Sequence, residues 1–115
     1  MYKLAYTEAV ADSAGEARAR EHEALGRSIE LMQLAQAAGS NSNEAAAALK
    51  FVRELWTILL EDLVTPQNAL PQILRAQLIS IGISVLQQAE EIRQGRRSDF
   101  VPLIEISRLI MDGLK

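Results

Sequence analysis

The chain carries a single histidine. His22 stands between Glu21 and Glu23, in a run that also holds Glu16, Arg18 and Arg20. Metal capture and proton-transfer catalysis both need several groups converging on one point. A lone imidazole in a charged helical stretch therefore reads as a solvated surface residue. The adjacent carboxylates Glu61 and Asp62, and likewise Glu90 and Glu91, diverge by about 100° on a helix. They do not face each other as an acid/base couple must, and read as solvated faces or helix-end charges. There are no cysteines, which removes disulfides, thiolate metal sites and cysteine nucleophiles. No Gly-rich phosphate loop, nucleophile elbow or paired histidine spacing occurs. The reading is a chain with no catalytic residue, no metal ligand and no cofactor, and so not an enzyme.

What remains is suited to binding. Arg93, Arg96 and Arg97 form the one basic cluster and are the candidates for an RNA phosphate contact. No aromatics are interleaved with them, and their place near the carbonyl end of a predicted helix gives an alternative reason for positive charge there. The net charge of -3 argues against broad nucleic-acid binding. Trp56 has the chemistry of a binding anchor, but its apolar surroundings point to core packing. Tyr2 and Tyr6 share a helix face at i, i+4 spacing, and either dock back on the fold or form a partner contact.

These residues must be positioned by helices. Apolar residues make up 49% of the chain and aromatics only 4%, so the core is built of aliphatic side chains and alanine, a mixture suited to close helix packing. A segment over 2–12 is weakly helical. Ser13 and Glu16 match a capping box that starts a second helix over 14–38, which ends where Gly39 suits a left-handed position. Asn41 and Glu44 form a cap-like pair opening 43–64, whose strong apolar pattern predicts that 55–60 is buried on more than one side. Pro71 opens 70–94, where Leu74, Leu78, Ile81, Val85, Ala89 and Ile92 make one stripe and Ile79, Ile83 and Leu86 a second. Gly82, inside the first stripe, is placed for close helix approach. Ser98 caps a last helix over 98–113, with Pro102 in its first turn and Leu114 closing its stripe. The expected fold is all-α, a compact bundle of four to five helices (2–12, 14–38, 43–64, 70–94, 98–113) forming one domain over 1–115. No secretory signal pattern and no apolar run of about eighteen residues is present, so the expected location is cytoplasmic.

Several stretches are specific enough to suggest a relationship: Leu55-Trp56-Thr57-Ile58-Leu59-Leu60-Glu61-Asp62-Leu63, Asn68-Ala69-Leu70-Pro71, Leu74 through Gly82 (LRAQLISIG), and Pro102-Leu103-Ile104-Glu105-Ile106. With Ala5-Tyr6 and the charged stretch from Ser13 to Glu23, they make nearly the whole chain resemble the FlaF family, flagellar biosynthesis regulators of some flagellated bacteria that also carry the regulator FlbT. The resemblance implies a non-enzymatic protein that binds flagellin, holds it before export and supports its synthesis, with FlbT a further candidate partner. An alternative is an RNA-associated regulator of flagellin expression acting with FlbT through Arg93, Arg96 and Arg97.

A chaperone of this kind needs an apolar groove for an amphipathic helix, and the doubly striped 70–92 segment is the place to look for one. No motif assigns individual contacts. The candidate partner-binding residues are Tyr2, Tyr6, Arg75, Leu78, Ile79, Ile83 and Leu86. A monomer awaiting its partner and a homodimer paired through the extra stripe are both compatible with the pattern.

Overall fold

The computed structural model describes the backbone of residues 2–113 and the side-chain surroundings from residue 15 onward, Ala17 excepted. Four helices follow in order: α1 (Tyr2–Ala38), α2 (Asn43–Leu63), α3 (Gln72–Arg93) and α4 (Val101–Gly113). Among the described residues there is no strand. The all-α bundle expected from the apolar pattern is the fold.

One predicted boundary is absent. The segments 2–12 and 14–38 are a single helix of 37 residues. A capping box needs a non-helical backbone at its serine, whereas here the preceding residues already supply helical carbonyls and no proline interrupts them. Continuing a helix adds one bond per residue fixed, while starting another requires a new nucleus. Glu16 accordingly lies along the helix, 3.8 Å from Arg20. Gly15 has open space around it and costs only about 1 kcal/mol relative to Ala.

The other ends show which polar groups do the capping. Gly39, at φ 101°, closes α1 from the left-handed region. Ser42, rather than Asn41, is the cap of α2: its hydroxyl accepts from the amide of Ala45 at 3.0 Å. Pro71 precedes the first residue of α3. Asp99, rather than Ser98, meets the start of α4, its carboxylate accepting from the amide of Val101 at 2.9 Å. Leu114 lies outside the described residues.

Helices adjacent in sequence are antiparallel. Glu21 and Leu25, in the middle of α1, share a cavity with Asp62 and Leu63 at the end of α2. Leu49 and Arg53, early in α2, share another with Ala89 and Arg93 late in α3. The last helix returns along the first, with Met111 3.6 Å from a Cβ placed on Gly26 and the Phe100 amide bonded to Gln36. So α1 packs on α2 and on α4, and α2 packs on α3. The core lies between them and contains Leu25, Met32, Val52, Trp56, Val85, Phe100 and Leu103. Buried Ser28 and Ser107 are satisfied by donating to Leu25 and Leu103 carbonyls of their own helices, each at 2.7 Å.

Two expectations about burial change. Trp56 and Leu55 are buried, but Ile58 is 64% exposed, because two residues at 100° each carry it about 200° around the helix from Trp56, away from the buried face. His22 is half-buried with its Nε2 enclosed and unpartnered, since the four-residue register that buries Leu25 and Ile29 carries the turn before them inward too.

The molecule measures 53 × 26 × 22 Å. Its long dimension matches α1, whose 37 residues span about 55 Å at 1.5 Å each. The shorter α2 and α3, with 21 and 22 residues, leave the first part of α1 running past the bundle.

Candidate functional site

Three of the four sides of the bundle are closed by helix packing. The fourth, between α3 and α4, is at most sparsely packed. There the two helices stand apart over a cleft of about 320 Å³ lined by Leu70, Leu74, Leu78, Ile81, Ile106, Leu109, Ile110, Gly113 and Arg18. Every side chain among these is aliphatic except Arg18.

The wall from α3 exists because Leu74, Leu78 and Ile81 recur at spacings of four and three, which places them on one helix face. Farther along the same stripe, Val85, Ala89 and Ile92 are buried. The stripe thus begins as cleft wall and ends as core. The opposite wall uses Ile106, Leu109 and Ile110 from α4 in the same manner. Two leucines stand well into solvent at its edges, Leu74 at 40% and Leu109 at 69% exposure. Isolated exposed leucines are ordinary, whereas these two continue the apolar lining of the cleft.

The loop from α2 to α3 places Leu70. Asn68 donates from Nδ2 to the Asp62 carboxylate at 2.9 Å and accepts the Leu70 amide on Oδ1 at 3.0 Å. This two-way clamp is the physical role of the Asn68-Ala69-Leu70-Pro71 segment. It sets the chain angle at which Leu70 meets the cleft.

Below the cleft, sharing Leu70, Leu78 and Ile110 with it, is a cavity of about 40 Å³ that also touches Glu21, Trp56 and Asp62. Burial, and then the neighbouring Asp62 charge, pushes the Glu21 carboxyl above its ordinary value, while Arg18 and Arg20 pull weakly the other way.

Of the candidates read from the sequence, Leu78 lines the cleft. Ile79 is half-buried and Ile83 exposed, on the side of α3 turned from the cleft. Leu86 packs against the core and shares a shallow cavity with Leu49 and Arg53 of α2. Arg75 is half-buried, with its Nε enclosed and without an acceptor. The side chains of Tyr2 and Tyr6 lie outside the described residues. Leu74, Ile81, Ile106 and Ile110 were legible as stripe positions but not as an open surface. Arg18 and Leu109 had no sequence signal beyond a charged run and a three-residue offset from Ile106.

Two of the three arginines in the basic cluster are paired with carboxylates. Arg93 makes a two-point ion pair with Glu90, its Nε donating at 2.8 Å, and these bonds hold the Glu90 carboxyl down to about 2. Arg97 lies 3.7 Å from Glu91. Among the described residues, no group of three or more acidic or imidazole side chains is arranged to hold a metal. No helix among them is long and apolar enough to cross a membrane.

The chain is thus of the class of all-helical bundles, with an apolar cleft between α3 and α4. Within that class the chain belongs to the FlaF family: the family model described as flagellar protein FlaF matches residues 2–114, essentially its whole length. This is a flagellar family and not a family of known enzymes. Compared with curated proteins and with solved structures, the chain has no match in either set.

Proposed function

We propose that the chain is a flagellin-binding regulator and export chaperone, which holds a helical terminal segment of flagellin in the cleft between α3 and α4. The observation that carries this reading is the cleft itself: aliphatic on both walls, flanked by exposed Leu74 and Leu109, and formed where helix packing is sparsest. An amphipathic helix laid into such a cleft would bury its apolar face and remain bound until export. Membership of a flagellar family supports flagellin as the partner. The work belongs in the cytoplasm, where flagellin is made before export.

The alternative, an RNA-associated regulator acting with FlbT, draws less support. It depends on Arg93, Arg96 and Arg97, two of which are already paired with Glu90 and Glu91. Counterion release needs cations free to meet phosphate.

Calorimetric titration with the cognate flagellin at low and high salt tests the proposal, with the flagellin messenger leader as a parallel titrant. Saturable, salt-tolerant binding with a negative heat-capacity change supports the chaperone. Loss of that binding in Leu74→Asp places it in the cleft. Absence of flagellin binding alongside salt-sensitive RNA binding overturns it in favour of the RNA regulator.

A further inference from the structure

We infer that the cleft takes its occupant in one direction only, because Arg18 selects a helix that carries a carboxylate in the turn nearest the free end of α4. The inference rests on the flagellin reading for the identity of the natural partner and specifies the chemistry that partner must present.

The walls call for a helix of limited length. From Leu74 to Ile81 the α3 wall extends about 10 Å at helical rise, close to two turns, and Leu70 lengthens it from the preceding loop. Side chains spaced by three and four on both walls form ridges that a third helix can interleave with its own. A partner with apolar residues at i, i+3 or i+4, and i+7 would fill the space left between α3 and α4.

Arg18 breaks the symmetry of this apolar surface. It is the sole charged residue among those lining the cleft. Because α4 runs antiparallel to α1, with Met111 beside Gly26, Arg18 lies a further two turns toward the end where α4 stops at Gly113. Among the described residues Arg18 has no ion-pair partner, whereas its neighbour Arg20 is paired with Glu16. Arg18 acts on Glu21 only as a secondary influence, and Glu21 faces the smaller cavity beneath. A docked helix with an acidic side chain in its adjacent turn meets an unpaired guanidinium at the edge of an apolar wall. A lysine in that turn meets repulsion. Helix polarity reinforces the choice, since the partner's carbonyl end carries partial negative charge.

The test uses the full chain and two labelled, side-chain-stapled amphipathic peptides about four turns long, identical except for Glu or Lys in the last turn. By fluorescence anisotropy the Glu peptide binds about fivefold tighter than the Lys peptide, the scale of a well-placed surface ion pair. Arg18→Glu reverses that preference, and Leu74→Asp weakens both peptides together. Circular dichroism and denaturant midpoints verify that each variant is folded, with Leu74→Ser as a milder second probe of the wall. Equal binding of the two peptides, no binding of either, or an equal effect of Arg18→Glu on both overturns the inference. So does light scattering that shows a dimer broken by Leu74→Asp, which would make a second copy the occupant. Flagellin binding unchanged by Arg18→Glu but lost in Leu74→Asp removes the role of Arg18 and keeps the chaperone. Discrimination between the peptides without any binding of flagellin removes the flagellin reading and keeps the charge selection.

Discussion

The amide of Phe100 donates to the side-chain carbonyl of Gln36 at 2.7 Å, joining positions 64 residues apart in the chain. Phe100 is fully buried, and its own carbonyl accepts the amide of Ile104 at 3.0 Å as the first bond of α4. One residue thus anchors the last helix to the end of the first. Loss of the acceptor in Gln36→Ala leaves a partly buried amide unpaired and is expected to cost about 1–2 kcal/mol. Phe100→Ala removes a core ring and is expected to cost about 3–5 kcal/mol. Urea denaturation followed by circular dichroism measures both. Equal stability of Gln36→Ala and the parent would show that water replaces the side chain without loss.

Gly82 is needed for its lack of a side chain. A Cβ there would stand 2.8 Å from Leu60 Cδ2 and 2.9 Å from Trp56 Cε3, inside contact distance. Alanine has the better helix propensity by about 1 kcal/mol, whereas overpacking a core commonly costs about 1–3 kcal/mol. Gly82→Ala is therefore expected to lower the thermal midpoint, because the large, buried Trp56 ring has less freedom to swing away than the tip of Leu60 has. A raised midpoint would mean that α2 and α3 separate without penalty.

Glu21 ionises with difficulty in the folded chain because of its burial and the nearby Asp62. A carboxyl whose folded pKa lies above its unfolded value binds more protons when folded, so its contribution to stability declines as pH rises through that window. At neutral pH the charged form is a penalty. Glu21→Gln is expected to raise the thermal midpoint at pH 7, and the gap should close as pH falls below the ordinary carboxylate value. Glu90 runs the other way: held down to about 2 by Arg93, it contributes stability above the ordinary range that is lost on acidification. A midpoint difference between Glu21→Gln and the parent that does not vary with pH would refute this account.

Leu109 separates binding from folding. At 69% exposure it adds little to the core, and Leu109→Ser is expected to change stability by less than about 0.5 kcal/mol. The same substitution is expected to weaken flagellin binding roughly tenfold, since it removes an apolar anchor worth about 1–2 kcal/mol at the edge of the cleft. Calorimetry of the purified variant reads the second effect, and unchanged affinity would move the site off α4.

Much of this was open to reading from the chain. Leu49, Val52, Leu55, Trp56, Leu59, Leu60 and Leu63, linked by spacings of three and four, placed α2 at the centre of a bundle, because such a repeat gathers side chains to one side only in a helix. Gly39 and Pro71 marked boundaries through φ alone. The capping pattern at Ser13 misled because a cap is defined by what precedes it. A hydroxyl three residues before a glutamate says nothing of whether the upstream backbone is already helical. Phe100 was invisible because no period includes it. Its burial comes from a connector folding over the end of α1.

The candidate site divides along the same line. Composition and spacing alone determined that the chain is helical and aliphatic in its core, since those are properties of residue type and of a local repeat. They also identified the stripe through Leu74, Leu78 and Ile81. Tertiary structure decided that this stripe is covered at its Val85 end and open at its Leu74 end, and that Arg18, more than fifty residues earlier in the chain than Leu74, stands at the same cleft. Whether an apolar face is core or surface depends on which helix arrives to cover it. That in turn depends on α4 being short and tied to the far end of α1 by Phe100, a relation between distant residues that no local pattern records.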